Sequence, residues 1–296
     1  MKTHQDVLQD IAPETRAALQ TKSDVAGLKH AISYFGALFL TSTWIYLGMP
    51  FWWAVLVIQG VLLMFLFTLQ HECTHETPFA AKWISKLAGH FVGLVLIQPF
   101  NAFRYFHLAH HRYTNDPERD PELLSGAKPE TWGALSWYVS GIPYWIGGVS
   151  LVLRNAIAPK SHSYLPERAK GRLRREARWM GLVYLCIGVS FYWSNIMLWL
   201  WIVPALIGAP ALRLYLLAEH GRCPFVANML ENTRTTYTNR LVRWLAWNMP
   251  YHIEHHSAPN VPFHKLPELH THMQSELRST SKGYISFTKG SGSSKS

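Results

Sequence analysis

The 296-residue chain reads as an all-α integral membrane protein: four transmembrane helices in two hairpins, interfacial helices, and a cytosolic helical cap that holds a histidine-rich site. Three observations predict this. Several apolar runs approach membrane-spanning length. Eight of the sixteen histidines fall into three groups with helical spacing. Basic residues gather in one segment that abuts an apolar run.

The first two spans are expected at about 31–49 and 51–70, joined by a hairpin through Gly48, Met49 and Pro50. A third stretch, from Trp179 to about Leu217, contains only Arg213 as a charged residue. It is too long for one span and suits two, about 179–194 and 196–217, joined near Ser194 and Asn195. A soluble protein with buried helices would need a charged face turned to water, and this stretch has none. Aromatic content is 14%, charged content only 16%, and there are 13 tryptophans, all of which favour the membrane class. Residues 1–30 have mixed charge and no apolar signal-type core, so they read as a cytosolic N-terminal segment. Residues 31–275 form the membrane domain, and residues 276–296, ending in GSGSSKS, read as a flexible C-terminal tail.

The histidines supply the topology. His71 and His75 stand in HECTH, His107, His110 and His111 in HLAHH, and His252, His255 and His256 in HIEHH. Positions i, i+3 and i+4 project from one face of a helix, so each group is a pre-aimed set of imidazoles. Imidazole suits iron, zinc, copper and nickel, and eight exceed what one ion can bind, which points to two metals. A zinc finger is excluded, since Cys73, Cys186 and Cys223 form no CxxC pair. For the groups to meet, all must lie on one side of the membrane. Trp83–Phe100 and the stretch from Trp132 to about Ala158, broken at Gly141-Ile142-Pro143, must therefore lie in the interface or re-enter rather than cross.

Eight basic residues, Arg154, Lys160, Arg168, Lys170, Arg172, Arg174, Arg175 and Arg178, fall on the same side as the histidines in this scheme. The positive-inside rule makes that side cytoplasmic, with the active site and both termini. Much of the net charge of +10 is thus a topology signal rather than a nucleic-acid footprint, since no nucleic-acid motif accompanies it. Three unpaired cysteines fit a reducing compartment.

The order HECTH, HLAHHRYTNDPERDPE, a double-span insert, then NMPYHIEHHSAPNVPFHKLPELH resembles the membrane fatty acid desaturase-like superfamily over about residues 30–275. That superfamily includes acyl desaturases, acyl and alkyl hydroxylases, and carotenoid ketolases and hydroxylases. The resemblance implies a non-haem di-iron centre, two Fe ions with O2 as co-substrate, attacking an unactivated C–H bond. It implies as metal ligands His71, His75, His107, His110, His111, His252, His255 and His256. Family members often add a histidine from the end of the last span, and His220 in LLAEHG occupies that place on the expected side. All-imidazole ligation leaves the metal charge uncancelled, unlike the Glu-rich soluble di-iron proteins.

Around these ligands, Glu72, Asp116, Asp120, Glu219 and Glu254 are candidates to accept the second ring N–H of a metal-bound histidine. Glu72 and Glu254 fit equally a solvated far helix face. Asn248, four residues before His252, faces the metals directly or through water, or caps a helix before Pro250. His90 is expected in the interface, and His264 in a rigid turn leading to a cytosolic helix. Trp52, Trp53, Phe65, Phe100, Phe103, Tyr105 and Phe106 are candidates to line a lipid tunnel or to serve as ordinary packing.

The most direct functional expectation is a lipid or fatty acyl desaturase. A hydroxylase or ketolase of an acyl chain, alkane or carotenoid, and a fatty acid decarboxylase forming a terminal alkene, are the alternatives. The HxxxH spacing of the first group differs from the HxxxxH of typical acyl-CoA desaturases. A non-catalytic transporter would require polar residues within the spans, which are nearly absent. No haem, nucleotide or iron–sulfur motif is visible, so electrons must come from a separate donor of ferredoxin, rubredoxin or cytochrome b5 type.

Overall fold

A computed structural model describes residues 2–126 and 129–284. Those residues form α1 (His4–Asp10), α2 (Pro13–Leu19), α3 (Asp24–Tyr46), α4 (Trp52–His75), α5 (Lys82–Val95), α6 (Phe100–Tyr113), α7 (Pro121–Leu124) and α8 (Trp132–Val139). They continue with α9 (Ile142–Ile157), α10 (Lys170–Ser190), α11 (Val203–His220), α12 (Met229–Asn232), α13 (Arg240–Leu245), α14 (His252–Ser257) and α15 (Leu266–Met273). A parallel pair of two-residue strands, β1 (Thr235–Thr236) and β2 (Thr280–Ser281), joins the C-terminal part.

The two apolar runs with the clearest spanning character form the axis of the molecule. Helix α4 is one. The other is α11, which a π-helical turn at Leu198–Ile202 extends backward. Among the described residues these two, Trp52–His75 and Leu198–His220, are long and apolar enough to cross a membrane. They meet backbone to backbone. A β-carbon at Gly60 would lie 2.1 Å from the Pro204 carbonyl oxygen, so only glycine permits the crossing. Gln59, buried on the same stretch of α4, donates to Ser42 Oγ at 2.9 Å and to the Leu200 carbonyl at 3.1 Å, and contacts Thr41. One amide therefore ties α4 to α3 and to the π-helical turn. Tyr34 adds a second tie, from its hydroxyl to the Leu62 carbonyl at 2.7 Å.

Helix α3 has 23 residues and α10 has 21. At 1.5 Å per residue both exceed about 30 Å. Helix α10 begins nine residues earlier than the expected span at 179, because Lys170–Arg178 is rich in strong helix formers and simply continues the apolar helix outward. The interruption expected at Gly141 is present: α8 ends there and α9 starts anew, with Gly141 at φ +74°. Helix α5 is a separate 14-residue amphipathic element, with Trp83, Leu87 and Phe91 exposed and Ser85, Gly89 and Val92 buried.

The N-terminal segment is docked rather than loose. Val7, Ile11 and Leu19 are buried in the main core. The backbone N–H of His4 donates to Asn228 Oδ1 at 3.0 Å, and Arg278 donates to the Lys2 carbonyl at 3.0 Å. At the other end, residues 276–284 include β2, and Tyr284 packs on Tyr215 with ring centroids 5.3 Å apart. The GSGSSKS stretch lies outside the described residues.

Candidate metal centre

Each histidine group sits where a helix ends. His75 is the last residue of α4, His110 and His111 lie in the last turn of α6, His220 is the last residue of α11, and His255 and His256 lie in the last turn of α14. Helix C-termini carry partial negative charge, worth about 0.3–1 kcal/mol each to a nearby cation. Four such ends converge on one volume, a field suited to positive ions.

The imidazoles form two clusters. His71, His75, His107, His111 and His255 make one, and His110, His220 and His256 the other, with ligand atoms within 4.8 Å of one another in each. His252 joins the second through His220, Nε2 to Nε2 at 3.0 Å. Other Nε2 to Nε2 contacts are His75–His107 at 2.9 Å, His110–His220 at 3.2 Å and His111–His255 at 3.2 Å. The structure thus gathers all nine histidines expected from the sequence, including His220.

Several of these nitrogens make no hydrogen bond within the described protein. Both ring nitrogens of His71, Nδ1 of His111, His252 and His255, and Nε2 of His256 are buried without a hydrogen bond. Buried polar atoms are nearly always paired, so a cluster of unpaired lone pairs needs an outside partner. Burial pushes the His107, His111, His252, His255 and His256 imidazoles well below their ordinary value, and the neighbouring histidines add to the shift. Neutral imidazole is the form that ligates a metal. An all-nitrogen, largely buried donor set in two clusters fits two transition-metal ions.

The carboxylates behind the imidazoles divide as follows. Asp120 accepts from His110 Nδ1 at 2.9 Å and also caps the Asn115 and Glu122 backbone N–H groups, at 2.8 and 2.9 Å. Asn115, at φ +58°, turns the chain so that Asp120 folds back on His110. Glu72 and Glu254 are fully buried, not on solvated faces. Glu72 stands 3.8 Å from His255 Nδ1 and accepts from Thr77 Oγ1 at 2.8 Å and the Phe263 N–H at 3.2 Å. Glu219 stands 3.6 Å from His252 Nδ1. Glu254 instead contacts His270 and accepts from Thr235 Oγ1 at 2.6 Å. Asp116 pairs at the surface with Arg119, at 2.7 Å, because the turn after α6 points it outward.

Asn248 does not share a helix with His252. α14 begins at His252, residues 246–251 turn, and the Asn248 amide donates to the Phe263 carbonyl at 3.0 Å. His90 pairs with Glu176 at 2.9 Å, away from both clusters, and His264 belongs to neither. The seven aromatic residues stand in several different packing environments. Trp53 faces outward, Phe65 packs on Tyr215, and Phe103 stacks on His107 with centroids 5.5 Å apart. Trp52 meets Trp199, Tyr105 and Phe106 pack toward Tyr164, and Phe100 borders a separate cavity.

Sequence reasoning missed the hydroxyl and amide supports. Thr114 bridges the His110 carbonyl, at 2.8 Å, to His256 Nδ1, at 3.1 Å. The Asn232 carbonyl lies 3.3 Å from His220 Nδ1, and Asn232 Nδ2 donates to the Thr114 carbonyl at 3.1 Å. Thr235 in β1 receives the Ile253 N–H at 3.2 Å, which anchors the third group. Only Thr114, four residues after His110 at the C-terminal cap of α6, carried a local signal.

The family model described as "Fatty acid desaturase" matches residues 26–288. An sn-1 oleoyl-lipid 12-desaturase of Picosynechococcus sp. is 25% identical over 78% of this chain and 70% of its own. An sn-1 acyl-lipid omega-3 desaturase (ferredoxin) of Nostoc sp. is 23% identical over 82% of this chain and 70% of its own. A dihydrorhizobitoxine desaturase of Bradyrhizobium elkanii is 29% identical over 79% of this chain and 70% of its own. With a family match over most of its length and nine histidines gathered in one buried volume, the chain belongs to the fatty acid desaturase family and is an oxidoreductase.

Proposed function

We propose that the protein is an O2-dependent desaturase of a fatty acyl chain in a membrane lipid. The observation that carries this is the meeting of nine imidazoles from four helix ends in two metal-sized clusters. The desaturase names of its relatives support desaturation over hydroxylation, ketolation or decarboxylation. His71, His75, His107, His111 and His255 hold one iron ion in this reading, and His110, His220, His252 and His256 the other. The di-iron pair, when bound, supplies O2 activation and removal of hydrogen from an unactivated C–H bond.

The chain's own residues do the remaining work. Asp120 fixes the His110 ring, so its Nε2 points at the second cluster. Thr114 and the Asn232 carbonyl do the same for His256 and His220. Phe67 and Phe103 pack against the first-cluster rings and exclude water from that side. Electrons come from a separate carrier, and the ferredoxin in one relative's name makes that class the first choice.

We also propose four spans, at α3, α4, α10 and the Leu198–His220 helix, with the cap and both termini cytoplasmic. Cysteine labelling at Lys160 and at Gly48 tests this by reporting opposite faces. The function is tested by mass spectrometry of lipids from cells expressing the protein beside His110→Ala. A new double bond present only with the unaltered protein supports the reading. An oxygenated or shortened product overturns desaturation.

A further inference from the structure

A cavity of about 730 Å³ opens between α5, α6 and α10, separate from the histidine clusters. That volume is typical of a small-molecule site, about 300–1,000 Å³. Its α10 wall is one helical face: Arg172, Arg175, Glu176, Trp179, Met180 and Val183, at spacings of three and four. The face changes character along its length. Its first turns are cationic and its last are apolar, over about 16 Å at 1.5 Å per residue.

The opposite wall repeats the pattern, with Lys86 and His90 beside Leu87, Phe91 and Leu94 of α5. Two acids line the cavity and both are taken. Glu176 lies 2.9 Å from His90 Nδ1 and accepts from the Asn101 N–H at 3.1 Å. Glu76 pairs with Lys82 and Arg104, each at 3.7 Å. Among the described residues no carboxylate pairs with Lys86, Arg172 or Arg175, and all three are exposed. The cavity therefore presents three uncompensated cations at one end and an apolar trough at the other. It also touches the metal layer. Arg104, on its α6 wall, donates to the Thr74 carbonyl at 2.8 Å, one residue before His75.

We propose that this cavity is a loading site for one anionic acyl lipid, its oxyanion head held by Lys86, Arg172 and Arg175 and its chain laid along Phe91, Met180 and Val183. Arginine suits the head, because its planar donors match carboxylate and phosphate oxygens in pairs. The role as a loading site rests on the acyl-desaturase reading; binding itself does not. The same chemistry serves a free fatty acid or a phospholipid.

Trp179 lies in the trough and gives a direct readout. Purified protein in neutral detergent is titrated with dibromostearate, whose bromines quench tryptophan, and with the uncharged dibromostearyl alcohol. The Trp179→Phe variant identifies the relevant signal. The expected result is that the acid binds at least about tenfold more tightly than the alcohol. Arg172→Ala with Arg175→Ala should remove that preference, and the paired lysine variants should keep it. Equal binding of acid and alcohol, or a preference that survives the double alanine change, overturns the proposal.

Should the alanine variant not fold, salt decides on the unaltered protein. Acid binding that weakens with ionic strength while alcohol binding does not supports the cationic head site, and identical salt responses refute it. Dibrominated phosphatidylglycerol distinguishes the sources, since tighter quenching than by the acid assigns the phosphate head. Charge-selective binding without any unsaturated product in expressing cells would keep the site and remove the reaction. Product without charge-selective binding would do the reverse.

Discussion

Gly208 of α11 lies against Gly60 of α4 so closely that a β-carbon on Gly208 would sit 2.1 Å from the Gly60 carbonyl oxygen. The neighbour is backbone and cannot rotate away. This contact sets the separation of the two helices whose last residues are His75 and His220. Gly208→Val should therefore force the helices apart, at an overpacking cost of about 3 kcal/mol or more. A thermal melt in detergent should fall and iron content should drop with it. Gly188→Val, where a β-carbon meets nothing within 4 Å, is the control and should leave both unchanged.

His220 belongs to none of the three motifs, yet its Nε2 lies 3.2 Å from that of His110 and 3.0 Å from that of His252. If it ligates, His220→Ala should lower iron content and abolish turnover as severely as His110→Ala. His162, which stacks on Tyr164 with centroids 5.0 Å apart and joins neither cluster, is the control. Full iron loading with near-normal turnover in His220→Ala would show that the other eight suffice.

The Asp120 carboxylate accepts from His110 Nδ1, at 2.9 and 3.1 Å to its two oxygens. Asp120→Asn keeps the shape and one acceptor but removes the charge. Metal affinity should fall about 10–100-fold, as for carboxylates that orient ligating histidines. Competition with a chelator measures this. Asp116→Asn, at the surface beside Arg119, should leave affinity unchanged.

The buried imidazoles predict an acid-labile metal-free form. His107, His111, His252, His255 and His256 are held well below 6.5 in the folded state, chiefly by burial. Unfolded histidines take up protons from about pH 6.5 downward. Between that value and the lower folded values the unfolded state binds more protons, so stability is lost as pH falls. The melting temperature of chelator-stripped protein should be flat above about pH 6.5 and should decline below it. A melting curve independent of pH down to about 5 would contradict the neutral, buried cluster.

The sequence by itself announced the histidine groups and the main helices. Helical periodicity is local, so HECTH, HLAHH and HIEHH announced their own geometry, and α4, α6 and α14 carry them as expected. Apolar length marked α4 and the helix ending at His220, and Gly141 marked the break between α8 and α9 for a local backbone reason.

Pairing across long sequence distances required the tertiary structure. Which histidines share a cluster depends on how four helix ends approach, and residues 71 and 255 or 110 and 220 carry no mutual signal along the chain. The same holds for Thr235 beneath Glu254 and for the carbonyl of Asn232 beside His220. Asn248 shows the limit from the other side: its spacing to His252 implied a shared face, but a turn at positive φ intervenes, and periodicity has meaning only within an unbroken helix. The seven aromatics scattered for a related reason. Aromatic rings pack wherever apolar surface is offered, so their identity does not reveal which of several apolar environments they join.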